Sequence, residues 1–416
     1  MRTERLQGGV LLTEGPNGLK VLTETMPNLR SAAAGFWIRA ASAHETPRQM
    51  GVSHLLEHMV FKGTERRTAQ AIALALESRG GSLDAYTGRD HTTFQARVLD
   101  ADLPLAIDVL TDLIRRPKLA DEDLAKERQV VIEEIAMVED NPDDLVFDLH
   151  AGNLFPSHGY GYRILGTRDT VGALQSSDLR ALHGGAYHPR QTIFAGAGNL
   201  EHQRVLDLLG EQGWFDLAPG PMPKQVSDPG KGGRGEHRVE RDSAQVHLVL
   251  GSETFRWADK RRHALTLLTT MFGGGMSSRL FQRVREDLGL AYTIYAFNSF
   301  HQATGSAGVY VGTQRPTAQR ALEVIRSEYA RMANDSLSKD ELESAKQQVK
   351  GQLVLGLESP MSRMYRLAAF ALYGEPYRSL EDVLKEVDAV SVKDAAAVAA
   401  EFFVPERQMV VWLGPN

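Results

Sequence analysis

Polar and apolar residues alternate over Gly18-Leu-Lys-Val-Leu-Thr-Glu24, after an Asn17-Gly18 turn, which predicts a hairpin strand. A second strand is predicted from Ala32 to Ser42, around Phe36-Trp37-Ile38. Between Gly51 and Phe61, Leu55, Leu56, Met59 and Val60 recur at helical spacing and predict a buried helix. Arg67 to Ser78 reads as a helix that Gly80-Gly81 breaks. Ser82 to Thr87 and Thr92 to Leu99 read as two strands about a Gly88-Arg89-Asp90 turn. Asp102 to Arg115 is an amphipathic helix ended by Pro117, and Ala120 to Glu139 is a long one. The latter opens on Asp121-Glu122-Asp123, which complements the positive end of a helix. Asn141-Pro142 starts another helix, Ser177 to Ala186 is a further one, and Thr192 to Asn199 is a strand.

The pattern then stops. Pro219-Gly-Pro-Met-Pro and Asp228-Pro-Gly-Lys-Gly-Gly-Arg-Gly235 have no apolar periodicity and read as a linker. Beyond it the chain repeats. Leu119-Ala-Asp-Glu-Asp-Leu124 lies over Leu337-Ser-Lys-Asp-Glu-Leu342, a shift of 218 residues (337 − 119), and Asn141-Pro142 falls on Ser359-Pro360. The prediction is an α+β protein of two homologous domains, 1–217 and 237–416, joined by 218–236. Each is expected to hold an antiparallel or mixed sheet with helices packed on one face.

Composition changes this picture little. The 416 residues exceed one ordinary core, as the duplication requires. A net charge of −6 gives no reason to expect nucleic acid as a partner. With no cysteine, disulfides and thiolate metal sites are excluded. No apolar run approaches the ~20 residues of a membrane span, and the first residues lack the apolar core of a signal peptide. A cytoplasmic protein without membrane contact is the expectation.

The chemistry concentrates on the buried helix. His54 and His58 are four apart and share a face, so both imidazoles can reach one metal ion. Glu57 projects beside them, placed to take a proton from water. Buried imidazoles and a carboxylate need partners, and a divalent metal, zinc above all, suits that donor set. At the 218-residue shift these three fall on Phe272, Gly275 and Met276, so the second half lacks the set. A catalytic zinc site usually has three protein ligands. The candidates for the third are Glu122, Glu127, Glu133, Glu134 and Glu139. Glu127 and Glu134 are seven apart on one helix face with Val130 and Val131 between them, a buried-looking stripe; spacing alone does not choose between them. In the repeat they fall on Ala345 and Gln352.

These residues resemble the pitrilysin-type, inverzincin zinc metallopeptidases, the family of insulin-degrading enzyme and of the catalytic subunit of mitochondrial processing peptidase. The resemblance is to the short, two-domain form. In that family a glutamate ligand follows the inverted motif downstream. Glu134, 76 positions after His58 (134 − 58), matches it, and Glu127 matches the carboxylate that supports the metal ligands. Asp84-Ala-Tyr-Thr87 resembles the edge strand that binds substrate by strand addition, with Asp84 standing where many members have Asn. A negative charge at Asp84 would favour basic peptides. Phe272-Gly-Gly-Gly-Met-Ser-Ser-Arg-Leu280 and Val284-Arg-Glu-Asp-Leu-Gly-Leu-Ala-Tyr292 resemble the family's C-terminal domain, with Arg285 and Tyr292 matching the pair that contacts the substrate carbonyl.

The resemblance implies a zinc endopeptidase with one Zn2+ per chain, held by His54, His58 and Glu134, with Glu57 as general base and Glu127 in support. It implies a peptide substrate that is extended or unfolded. Because long family members close four such repeats around a chamber, two chains of two repeats are expected to do so together, as a homodimer or as a heterodimer with another family member. The alternative readings are a non-catalytic scaffold subunit of the same family and a peptidase active only with a distinct partner chain.

Overall fold

β-branched and aromatic residues concentrate in strands such as Val246–Thr254 and Ala291–Phe300 of the protein, here described from a computed structural model over residues 1–335 and 337–415. The described residues form two sheets in two compact units.

The first unit comprises Met1–Ile135, Arg163–Gln225 and Leu355–Leu380. Its strands are β1 (Arg2–Arg5), β2 (Leu11–Glu14), β3 (Lys20–Thr25), β4 (Ser31–Ile38), β5 (Ser82–Thr87), β6 (Thr92–Leu99) and β7 (Thr192–Gly198). They lie in the order β1-β2-β3-β7-β4-β6-β5. Only β3 and β7 run parallel; the other neighbours are antiparallel, so the sheet is mixed as expected. Strands β5 and β6 occupy the ranges that the alternation predicts, and β5 is left at an edge.

Strand β4 is buried on both faces, and this departs from the expectation of helices on one face. Ala32, Ala34, Phe36 and Ile38 join one core with Leu55, Leu56 and Met59 of helix Val52–Val60 and Ile107 and Leu110 of helix Leu103–Arg115. Ala33 and Trp37 join a second core with Met364, Leu367 and Ala368 of helix Pro360–Leu372. A strand covered on both sides reads as an unbroken apolar run, which Ala32 to Ile38 is.

The second unit comprises Ala136–Tyr162, Val226–Val354 and the chain from Glu381 onward. Its strands are β8 (Gly235–Glu240), β9 (Val246–Thr254), β10 (Ala291–Phe300), β11 (Gly305–Thr313) and β12 (Met409–Gly414), in the order β10-β11-β9-β12-β8. That order repeats β5-β6-β4-β7-β3, including the parallel pair, now β12 with β8. Helix Pro142–Leu154, capped by the Asn141 side chain, packs on β9 and β12. Its Phe147 lies against Phe297 and Tyr310, and Asp143 accepts from the Tyr310 hydroxyl at 2.8 Å.

The units are therefore not the two halves divided at the linker. Each half sends one helix, Pro142–Leu154 or Pro360–Leu372, into the unit built mainly by the other. Of the expected linker 218–236, residues 218–234 form no helix or strand, while Gly235 and Glu236 begin β8. The repeat is regular in the late helices: Asp121–Asp140 and Lys339–Gly356 start 218 apart (339 − 121). It is shorter at the motif helix, whose counterpart Arg262–Gly273 starts 210 on (262 − 52). The constant shift therefore misassigned His54, Glu57 and His58 to Phe272, Gly275 and Met276. The true counterpart still holds a single histidine, His263, and no carboxylate. No helix of the described residues is long and apolar enough to cross a membrane.

Leu367 is fully buried in the core behind β4. Leu367→Ala should cost about 2–5 kcal/mol in urea unfolding. Hydrogen exchange should then accelerate in β4 and β7 of the first unit. Acceleration confined to the second unit would contradict the exchanged-helix assignment.

Candidate metal centre

Helix Val52–Val60 starts at Gly51, whose φ of +92° is a glycine conformation. A Cβ there would lie 2.7 Å from the Leu165 carbonyl oxygen. The Glu45 carboxylate accepts from the backbone N–H of Gly51 and of Ser53, both at 2.8 Å, and so satisfies two donors at the helix start. Burial outweighs those bonds and pushes the Glu45 carboxyl up to about 7. With Leu55, Leu56, Met59 and Val60 packed into the core, His54 and His58 are left on the open side, their rings 4.7 Å apart.

Helix Asp121–Asp140 supplies the other half. Leu124, Val131 and Ile135 anchor it, and Glu127 is buried with them. Val130 is 43% exposed, so the stripe between the two acids is buried only at Val131. Glu134 Oε2 lies 3.7 Å from His54 Nε2 and 3.5 Å from His58 Nε2. Glu127 Oε2 lies 3.2 Å from His58 Nδ1. The choice that spacing left open is thus made by geometry: Glu134 faces both imidazole edges, and Glu127 stands behind one of them. Donation from His58 Nδ1–H to Glu127 leaves the Nε2 lone pair turned toward Glu134. Ligand atoms of His54, His58 and Glu134 all lie within 4.8 Å of one another. Two imidazoles and one carboxylate converging in this way fit a zinc ion with positions to spare. The protein groups alone favour the ligand form of His54, which burial, then the neighbouring His58, lowers to about 3.

Glu57 sits on the same helix, and its Oε2 accepts from Thr87 Oγ1 at 2.5 Å. Burial raises the Glu57 carboxyl, and the Glu134 charge adds to this, while Thr87 and His58 oppose it. Thr87 was expected only as part of a substrate strand; its side chain instead holds the carboxylate beside the metal ligands. Strand β5 keeps its outer edge unpaired among the described strands. Leu83 and Ala85 pack toward the core of the motif helix. Alternation then turns Asp84 and Tyr86 to the opposite face, where Tyr86 lies 6.3 Å from the Tyr365 ring. The Asp84 carboxylate consequently points away from Glu57.

Arg285 and Tyr292 belong to the second unit. Arg285 lies in a π-helical turn, Phe281–Asp287, with its guanidinium 4.6 Å from the Phe281 ring and 4.5 Å from the Tyr292 ring. Tyr292 is the second residue of β10 and is 75% exposed, not a core residue. Sequence reasoning missed Glu45, the side-chain role of Thr87, and Lys62, whose Nζ reaches Glu127 Oε1 at 2.6 Å. Lys62 had a signal: it follows His58 by four residues, one helical turn on. Glu45 had none, because a loop carboxylate turning back onto a helix start leaves no periodic trace.

The lowered His54 pKa makes folding pH-dependent. Its folded value lies below the unfolded one, so its contribution is complete above the ordinary histidine value of 6.5 and is lost as pH falls toward about 3. In metal-free protein, the stability lost between roughly pH 7 and pH 5 should shrink by about 2 kcal/mol in His54→Gln, read by urea unfolding. Equal losses in the two proteins would refute a neutral, half-buried His54.

The insulinase (peptidase family M16) profile matches residues 20–168, and the profile described as the peptidase M16 inactive domain matches 173–349. An uncharacterized zinc protease of Streptomyces coelicolor is 39% identical over 414 residues, covering 98% of this chain and 90% of that protein. The uncharacterized zinc protease YmxG of Bacillus subtilis is 35% identical over 395 residues, covering 95% and 96%. In fold, the chain is similar to a crystal structure described as a peptidase M16 inactive domain from Pseudomonas fluorescens, with a TM-score of 0.91 at 22% identity and 98% of each chain covered. A protease from Helicobacter pylori gives 0.89 at 21% identity, covering 100% of this chain and 99% of that one. The half that carries the His54-His58-Glu134 cluster is the half that the insulinase profile matches, and the chain belongs to peptidase family M16.

Proposed function

We propose that the protein is a zinc-dependent endopeptidase that hydrolyses extended or unfolded peptides. The observation that carries this reading is Glu57, a half-buried carboxylate held by Thr87 beside three converging metal-ligand atoms. His54, His58 and Glu134 hold the ion, and Glu127 orients His58. Zinc at such a site supplies Lewis acidity toward a carbonyl oxygen and lowers the pKa of water. Glu57 takes a proton from the attacking water and returns it to the leaving amine. In the metal-free protein burial raises its carboxyl, the direction that suits a general base. Substrate backbone pairs with the free edge of β5, so affinity comes from main-chain hydrogen bonds and sequence preference is loose.

Arg285 and Tyr292 take the oxyanion of the tetrahedral intermediate. Stacking of Arg285 between Phe281 and Tyr292 supports this by fixing the guanidinium plane. Two chains assemble as a homodimer around a chamber, and each lends its Arg285 and Tyr292 to the other's metal centre. The scaffold reading is disfavoured because every donor of the zinc cluster is present; the inactive-domain description applies to 173–349 and not to the cluster.

Glu57→Gln should keep bound zinc and lower the turnover of a quenched, unstructured peptide by about 10²–10⁴-fold. Wild-type cleavage should stop with a chelator and return with zinc. Retained turnover in Glu57→Gln would remove Glu57 from its role. A second test mixes chains carrying His58→Ala with chains carrying Tyr292→Phe. Shared sites predict recovered activity in the mixed dimer, since one of its two centres is intact. An inactive mixed dimer would mean that each chain completes its own site.

A further inference from the structure

Lys62 stands at the junction of the two metal-bearing helices. It lies just beyond helix Val52–Val60, with its backbone N–H on the Met59 carbonyl at 3.2 Å. Its ammonium crosses to helix Asp121–Asp140 and meets Glu127 Oε1 at 2.6 Å. The other oxygen of the same carboxylate, Oε2, is 3.2 Å from His58 Nδ1. The Glu127 side chain is only 6% exposed, whereas that of Lys62 is 36% exposed. One carboxylate is thus held from both sides, by an ammonium on one oxygen and by an imidazole N–H on the other.

We propose that Lys62 is a positioning residue of the metal centre, fixing Glu127 so that His58 presents Nε2 to the ion. Two requirements lead to it. The first is charge. Glu57, Glu127 and Glu134 bring three carboxylates into the cluster, and a divalent ion offsets two of them. Lys62 offsets the third, so the occupied centre balances when all three are ionised (−3 + 2 + 1 = 0). A buried carboxylate without a counter-charge is costly. The second is orientation. A carboxylate bonded only through Oε2 can rotate about its terminal torsion, which has a broad minimum. A charge-assisted bond at Oε1 removes that freedom and keeps Oε2 on the imidazole. The ring of His58 is then fixed with Nε2 toward Glu134 and His54.

The inference rests on the metal centre and not on peptide hydrolysis, so its test reads zinc affinity by competition with a chromophoric chelator. Lys62→Met keeps the aliphatic stem and removes the charge. It should weaken zinc binding by about 10–100-fold, the usual effect of losing a group that orients a ligand. Lys62→Arg should restore most of that loss. In a Glu127→Gln background, Lys62→Met should change zinc affinity by less than about threefold, because Lys62 acts through that carboxylate. Urea unfolding of the metal-free variants checks that each folds; if the Met variant does not, Lys62→Gln carries the same cycle with a polar head. Wild-type affinity in the neutral variant, no recovery with Arg, or an undiminished loss in the Glu127→Gln background would each overturn the proposal. Zinc binding that obeys the cycle in a chain that cleaves no peptide would leave it standing while the peptidase reading falls.

Discussion

Two helices distant in sequence must bring imidazole and carboxylate atoms within 4.8 Å of one another, and everything around the centre answers that constraint. Helix Val52–Val60 cannot shift, because Gly51 is wedged against Leu165 and Glu45 ties down its first amides. Helix Asp121–Asp140 cannot roll, because Leu124, Val131 and Ile135 are in the core. The carboxylates would repel if nothing offset them. The Lys62 ammonium, together with a divalent ion when one is bound, makes their convergence tolerable.

The sheet supports this from behind. Because β4 is buried on both faces, its position is set by two cores, one under the motif helix and one under Pro360–Leu372. The second core also reaches β6, where Tyr365 bonds Gln95, and its aromatic edge extends to Tyr86 on β5. Strand β5, which holds Glu57 through Thr87, is therefore braced by a helix from the far end of the chain. The packing of the first sheet is therefore completed by a helix from the second half of the chain.

How far this was legible follows from which features leave periodic traces. The ranges of β5 and β6 and the helix starts near Asp121 and Pro142 followed from alternation, acidic first turns and proline placement. The inverted histidine motif was visible because its chemistry sits at one spacing on one helix. The exchange of helices was not visible. Pro142–Leu154 presents an apolar face, and that face says only that some sheet lies beneath it; two sheets of the same strand order were on offer. Glu127 and Glu134 share a face by spacing, and only the side-chain geometry separates the one against Nδ1 of His58 from the one against both Nε2 atoms. Asp84 looked like part of the substrate strand; the alternation of β5 sends its side chain to the face opposite Thr87.

Duplication explains why the cluster is whole in one unit and missing from the other. In the second copy, Glu127 and Glu134 give way to Ala345 and Gln352, and the counterpart of the motif helix offers one histidine and no carboxylate. Ala345 is 4% exposed, in the core of its unit. A carboxylate there would need both an imidazole N–H and an ammonium to be tolerated, as Glu127 has in His58 and Lys62. A fold that needs the cluster nowhere for its own packing is free to keep it in one copy, while the other copy fills the same position with alanine.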